Sequence, residues 1–149
     1  MTDLQHIEPG ISTAEDARFK ELLQATTCYL EYGCGGSTIY ACNNAKVKNV
    51  ISVEIDQTWA NKVRDSLEHA SSSVYIEYCN IGEVGEFGKP KSLEKIQEYW
   101  KYMVTPWEIA KQNHLVPDLV LIDGRFRVAS FLYSLVSARI GTSIFFDDY

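Results

Sequence analysis

The segment of this sequence best equipped for chemistry is Glu31-Tyr32-Gly33-Cys34-Gly35-Gly36-Ser37-Thr38. It has the form acidic-x-Gly-x-Gly, and glycines at 33 and 35 let a backbone turn sharply and approach a ligand that a Cβ would hold away. A dinucleotide could use such a turn. In the G-x-G-x-x-G fingerprint, however, the third glycine falls on Thr38, and a carboxylate at position 31 sits badly beside a pyrophosphate. An acid there suits a cationic ammonium group. Glu54 follows Gly33 by 21 residues, where a carboxylate at the end of the next strand can accept both hydroxyls of a ribose. Further on, Arg125 and Arg127 flank a turn after Asp123. Guanidinium groups pair bidentately with carboxylate or phosphate, so these arginines could clamp an anionic substrate, or one of them could neutralise Asp123 or Asp147.

The elements that must position these residues follow from periodicity. Ser12-Thr13-Ala14-Glu15 reads as a capping box, opening a helix to about Ala25. Cys28 to Tyr32 reads as a strand, followed at once by the glycines and a helix through Cys42. Val50 to Ile55 is nearly continuous in apolar character, as expected of a strand covered on both faces. A helix over Gln57–His69 and a third strand over Val74–Tyr78 come next. Gly82 to Pro90 holds three glycines and a proline, which predicts a loop. Leu93, Ile96, Tyr99 and Trp100 predict a helix with a break near Thr105-Pro106, because proline disfavours the α conformation in the residue before it. Asp118 to Asp123 is the fourth strand, Phe126 to Ile140 an apolar helix ended by Gly141, and Ser143 to Asp148 a fifth strand.

Five strands alternating with helices imply parallel β-α-β units with right-handed crossovers, hence helices on both faces of one sheet. Ligands of such sheets bind beyond the carboxyl ends of the strands. Those ends carry Glu31 and the glycine turn, Glu54 with Asp56, Asn80, Asp123, and Asp147 with Asp148.

Taken together, Glu31-x-Gly33-x-Gly35, Val53-Glu54-Ile55-Asp56, Cys79-Asn80-Ile81 and Asp118 to Gly124 resemble the successive motifs of class I S-adenosylmethionine-dependent methyltransferases, from about residue 27 onward. The resemblance implies a Rossmann-like three-layer α/β/α domain over residues 1–149, with a mostly parallel sheet of order 3-2-1-4-5. It implies that Gly33, Gly35 and Gly36 pack against the methionine part of the cofactor, with Glu31 on its amino group directly or through water. Glu54 would hold the ribose diol, and Ile55, Asn80 and Ile81 the adenine. Asp123 would be a cofactor contact and a general base or metal ligand. Many members have Asp where this chain has Asn80, whose amide oxygen can still accept from the adenine amino group. The chain is also similar to a bacterial group of methyltransferase-like proteins with a Gly-x-x-Gly-x-x-Gly-x-Pro loop after the third strand, here Gly82 to Pro90, paired with Asp123-Gly124-Arg125-Phe126-Arg127.

Asp123, Asp147 and Asp148 resemble the acids of metal-dependent O-methyltransferases of the catechol and macrocin type. Magnesium prefers hard oxygen ligands and could lower the pKa of a substrate hydroxyl there. Members of the class normally add an antiparallel strand pair beyond strand five, which is missing or truncated here. Strand five is then expected to be an apolar edge that a homodimer or another partner covers.

Composition narrows the setting. Hydrophobic residues make up 46% and charged residues 23% of 149, as in one soluble globular domain. No apolar run approaches the roughly 20 residues of a membrane span, and the N-terminus lacks the pattern of a signal peptide, so the expected location is cytoplasmic. The net charge is −6 with 14 scattered Lys and Arg residues, which argues against nucleic acid as a partner. Four cysteines without a C-x-x-C pair read as reduced, mostly buried thiols. The expected activity is methyl transfer to an oxygen or nitrogen of a small molecule or sugar. A module that binds S-adenosylmethionine or S-adenosylhomocysteine without methylating, and an NAD-dependent oxidoreductase, remain as alternatives.

Overall fold

Five short strands, most of them rich in apolar and aromatic residues, build one parallel sheet in the order β3-β2-β1-β4-β5. The computed structural model describes residues 13–147; Ser12 of the expected capping box and Asp148 lie outside them. The chain runs α1 (Thr13–Gln24), β1 (Cys28–Tyr32), α2 (Gly36–Cys42), β2 (Asn49–Glu54), α3 (Gln57–Ser66), β3 (Ser73–Tyr78), α4 (Tyr99–Gln112), β4 (Leu119–Ile122), α5 (Arg127–Ser137) and β5 (Ser143–Phe146). The expected α/β fold and strand order are those observed.

Alternation of side chains along each strand divides the core between two faces. Tyr29, Val50, Leu119 and Leu121 pack with Phe19, Ala60 and Val63 on the α1–α3 side. Leu30, Tyr32, Ile51, Val53, Val120 and Ile122 pack with Tyr102 and Trp107 on the other. With helices on both faces, β1 and β4 are buried along their whole length, which accounts for apolar runs in which strand and helix periods are hard to separate. The four cysteines are free and buried.

Register sets the rim. Tyr32 pairs with Val53 on one side and Ile122 on the other, and Ile122 pairs with Phe146. One further ladder bond extends each pairing: Gly33 N–H donates to Val53 O at 2.8 Å, Cys79 N–H to Glu54 O at 2.7 Å and Asp147 N–H to Ile122 O at 3.0 Å. Gly33, Cys79 and Asp147, just past three strand ends, are thereby locked to the neighbouring strands.

Two helices differ from expectation. The segment around Leu93 is not helical; a single 3-10 turn at Ile96–Glu98 leads into α4, which continues through Pro106 where a break was expected. Proline removes one backbone donor and crowds the preceding turn. Here burial outweighs that cost, since Tyr102, Pro106, Trp107 and Ala110 share the face turned to the sheet. Beside the proline, the Tyr32 hydroxyl donates to the Met103 carbonyl at 2.6 Å. The helix expected to run to Ile140 ends at Ser137, with Ala138 already extended at φ −71°, ψ 146°. Val128, Leu132, Leu135 and Val136 on α5 are exposed, and no helix of the described residues is long and apolar enough to cross a membrane.

Candidate active site

The glycine turn is a crossing of two backbones. Gly33 has φ +87°, and a Cβ on it would lie 3.1 Å from Gly124 Cα. A Cβ on Gly124 would lie 1.8 Å from the Tyr102 hydroxyl, 2.9 Å from Tyr32 C and 3.0 Å from Gly33 N. Glycine at 33 thus serves the contact between the ends of β1 and β4 as well as any ligand. Trp59, in the first turn of α3, covers the next part of the turn: its Nε1–H donates to Cys34 O at 2.7 Å, and its ring lies 3.7 Å from where a Gly35 Cβ would stand. Gly36 is buried at the start of α2.

Glu31 is completely buried. Side-chain alternation turns it to the sheet face beneath α2, where its carboxyl accepts from the Tyr29 and Ser37 hydroxyls, each at 2.7 Å, and from the Thr38 hydroxyl. Thr38 in turn accepts from Gly35 N–H at 2.8 Å. Burial pushes the acid up to about 7, against the pull of the Thr38, Tyr29 and Ser37 hydroxyls. Its oxygens are spent on these donors, so direct contact with an amino group is closed in this arrangement. The sequence did not reveal this seal, because Ser37 and Thr38 read there as ordinary helix-start residues.

Glu54 closes the turn from the β2 side. Its Oε1 accepts from Ile55 N–H at 2.8 Å and Asp56 N–H at 3.2 Å; its Oε2 accepts from Cys34 N–H at 3.1 Å and, weakly, from the Cys34 thiol at 3.6 Å. Burial raises its pKa, and the Ile55, Asp56 and Cys34 amides offset part of the rise. Asp56 caps α3 by accepting from Trp59 N–H at 2.9 Å. Asn80 stands apart: it is exposed, and its Oδ1 accepts from Gly82 N–H at 2.9 Å. Ile81 is 1% exposed.

At the end of β4, Asp123 meets Asp147. Burial, then the hydrogen bond and charge of Asp147, push Asp123 up to about 8, while the Arg127 guanidinium opposes the rise. Arg127 Nη2 lies 3.8 Å from Asp123 Oδ1, its Nε–H donates to Gly124 O at 3.1 Å and its Nη1–H to Asp147 O at 3.4 Å. Of the two arginines weighed from the sequence, Arg127 is therefore the one that neutralises the acids. Asp147 is 3% exposed and turned inward. Asp148, the third acid of the expected magnesium site, lies outside the described residues, among which no group of three acid, histidine or cysteine side chains could hold a metal ion.

Arg125 behaves differently. Its backbone N–H donates to the Tyr102 hydroxyl at 3.2 Å, and its methylenes run to the loop after β3, where a Cβ on Gly88 would stand 3.0 Å from both Arg125 Cδ and Ile55 Cδ1. Nothing in the sequence signalled that Gly88, from β3, and Arg125, from β4, meet across the rim.

The crystal structure of a methyltransferase-like protein from Silicibacter pomeroyi DSS-3 superposes on this chain with a TM-score of 0.87 at 32% sequence identity, over 97% of this chain and 75% of that one. The chain belongs to this methyltransferase-like family. No protein-family profile matches it, and no curated protein does. The methyltransferase-like relationship agrees with the strand order and with the acidic, glycine-lined rim.

Proposed function

We propose that this methyltransferase-like chain binds S-adenosylmethionine at the carboxyl rim of its sheet and transfers the methyl group to an oxygen or nitrogen of a small molecule or sugar. The observation that carries the reading is the rim's charge and shape. Beside the Gly33–Gly124 crossing stands Glu54, tied to the Ile55, Asp56 and Cys34 amides, an acid that disfavours a pyrophosphate and can accept from a ribose hydroxyl. Thr38, at the place of a dinucleotide fingerprint's third glycine, is fully buried with its hydroxyl committed to Glu31 and Gly35. That disfavours the oxidoreductase alternative.

The residues present fit the cofactor. Gly33, Gly35 and Gly36 shape the turn that would take the methionine part. Glu31 acts at one remove, by fixing the Thr38 hydroxyl and through it the Gly35 amide. At Glu54 the weak thiol contact is the one that a ribose hydroxyl can replace at least cost. Ile55, Asn80 and Ile81 would take the base, with Asn80 accepting through its oxygen. When bound, the cofactor supplies an electrophilic methyl group on sulfur. The chain's part is to align the acceptor, which can contribute several kcal/mol, and to receive its proton. Asp123 suits that task because a carboxylate held near neutral pH is an effective general base. Arg127 keeps its charge balanced.

Calorimetry tests the reading. S-adenosylhomocysteine should bind with measurable heat, and NAD should give none. Heat with NAD alone, or Glu54→Ala leaving S-adenosylhomocysteine affinity untouched, would overturn it. A chain that binds the cofactor product yet methylates no acceptor would be the non-catalytic module.

A further inference from the structure

Arg125 and the loop after β3 form a structure that cofactor binding alone leaves unexplained. The loop is tied into a short flap: Val84 and Pro90 form an antiparallel bridge, Gly85 N–H donates to Lys89 O at 2.8 Å, Lys91 N–H donates to Glu83 O at 2.8 Å, and the Lys91 ammonium pairs with the Glu83 carboxylate. At its inner side stands Gly88, with φ +66°, whose missing Cβ leaves room for the Arg125 methylenes and Ile55 Cδ1, each of which it would meet at 3.0 Å. Neighbouring Phe87 has φ 56° and is 77% exposed. A bulky residue is held in the left-handed region at some cost, with its ring presented to solvent; strain of this kind gathers at ligand clamps.

The guanidinium is the second part. Arg127 is committed to Asp123, Gly124 and Asp147, whereas the Arg125 guanidinium has no hydrogen-bond or ion-pair partner among the described residues, although its side chain is half-buried and its stem is clamped. An unpaired guanidinium on a packed stem is preorganised for an oxyanion, because part of the entropy of ordering the side chain has already been lost in folding.

We infer that the acceptor carries a carboxylate group, which the Arg125 guanidinium receives while Phe87 lies over the nonpolar part of the molecule. This rests on the methyltransferase reading and names the substrate class for the same site. Charge selects the carboxylate over a phosphate. One guanidinium matches one negative charge, and a dianion would face the Glu54, Asp123 and Asp147 carboxyls on the same rim.

The probe is phenylacetate, titrated calorimetrically into protein saturated with S-adenosylhomocysteine, against its neutral analogue phenylacetamide and against inorganic phosphate. Phenylacetate should bind in preference to both. Arg125→Gln should weaken it by about tenfold or more, the loss of a charge-assisted pair, and leave S-adenosylhomocysteine affinity unchanged. Phe87→Ala should weaken phenylacetate about threefold, again sparing the cofactor product. Thermal melting of both variants at the wild-type temperature establishes that they are folded. Equal binding of phenylacetamide, preference for phosphate, or an Arg125→Gln protein that binds phenylacetate normally would overturn the inference. So would loss of S-adenosylhomocysteine affinity in Arg125→Gln, which would give the guanidinium to the cofactor. If wild-type protein gives no heat with S-adenosylhomocysteine, the cofactor reading falls; the same phenylacetate titrations on cofactor-free protein then judge the carboxylate site alone.

Discussion

Replacing Glu31 by glutamine should change how stability depends on pH more than it changes the fold. The side chain is fully buried and takes three hydroxyl hydrogen bonds, from Tyr29, Ser37 and Thr38. Burial lifts its acid from 4.5 to about 7. Between those values the folded chain keeps a proton that the unfolded chain has released. Stability from this group is therefore complete below pH 4.5 and drains away as pH rises to about 7, after which it is flat. At about 1.4 kcal/mol per pH unit, the interval of about 2.5 units amounts to about 3 kcal/mol. Glutamine is close to the protonated acid in shape, and the three hydroxyls can rotate to meet either its oxygen or its NH2. Urea denaturation of wild type and Glu31→Gln at half-unit intervals from pH 4.5 to 8.5 isolates the group, since other titrations cancel in the difference. Relative to the variant, wild type should lose about 2 to 3 kcal/mol across that range. A flat difference would mean that Glu31 does not titrate in the window. A difference growing in favour of wild type as pH rises would mean that the hydroxyls hold the ionised form, and the reasoning from burial would be refuted.

Gly124→Ala should cost about 3 kcal/mol or more, because its Cβ meets the Tyr102 hydroxyl and two backbone atoms that cannot give way together; a melting temperature within 2 °C of wild type, by a criterion of about half a kcal/mol, would contradict it. Trp59→Phe removes the donor to Cys34 O and should lower stability by about 1 kcal/mol, with a parallel loss of S-adenosylhomocysteine affinity read by calorimetry. In a 13C carboxyl NMR titration, the Asp123 signal, assigned with Asp123→Asn, should show its midpoint near 8. Asp147→Asn should bring that midpoint down by removing the neighbouring charge, and a midpoint near the ordinary 3.8 in wild type would refute the coupling.

The sequence by itself determined the alternation of elements and the residues that stand at each strand end, while the sheet order came from its resemblance to a known family. The alternation and the strand ends depend on local period and on glycine and proline punctuation, which short segments carry within themselves. It also brought Glu54 to the glycine turn, because a strand's length fixes which residue reaches its end. It misjudged α4 through Pro106, where burial of Tyr102 and Trp107 against the sheet outweighed the proline's local preference. Only the tertiary structure decided what each acid faces. Glu31 and Glu54 look alike as strand-end carboxylates. Register separates them: Glu31 pairs with Ser52, one pleat below Glu54, so on the same face of the sheet the first lies beneath α2 in a hydroxyl cage and the second reaches the rim, tied to the Cys34 amide. Likewise Arg125 and Arg127 are two residues apart and equivalent in the sequence. What separates them is contact between segments far apart along the chain, Asp147 from β5 claiming one and Gly88 from the loop after β3 clamping the other, and distance along the chain carries no record of such meetings.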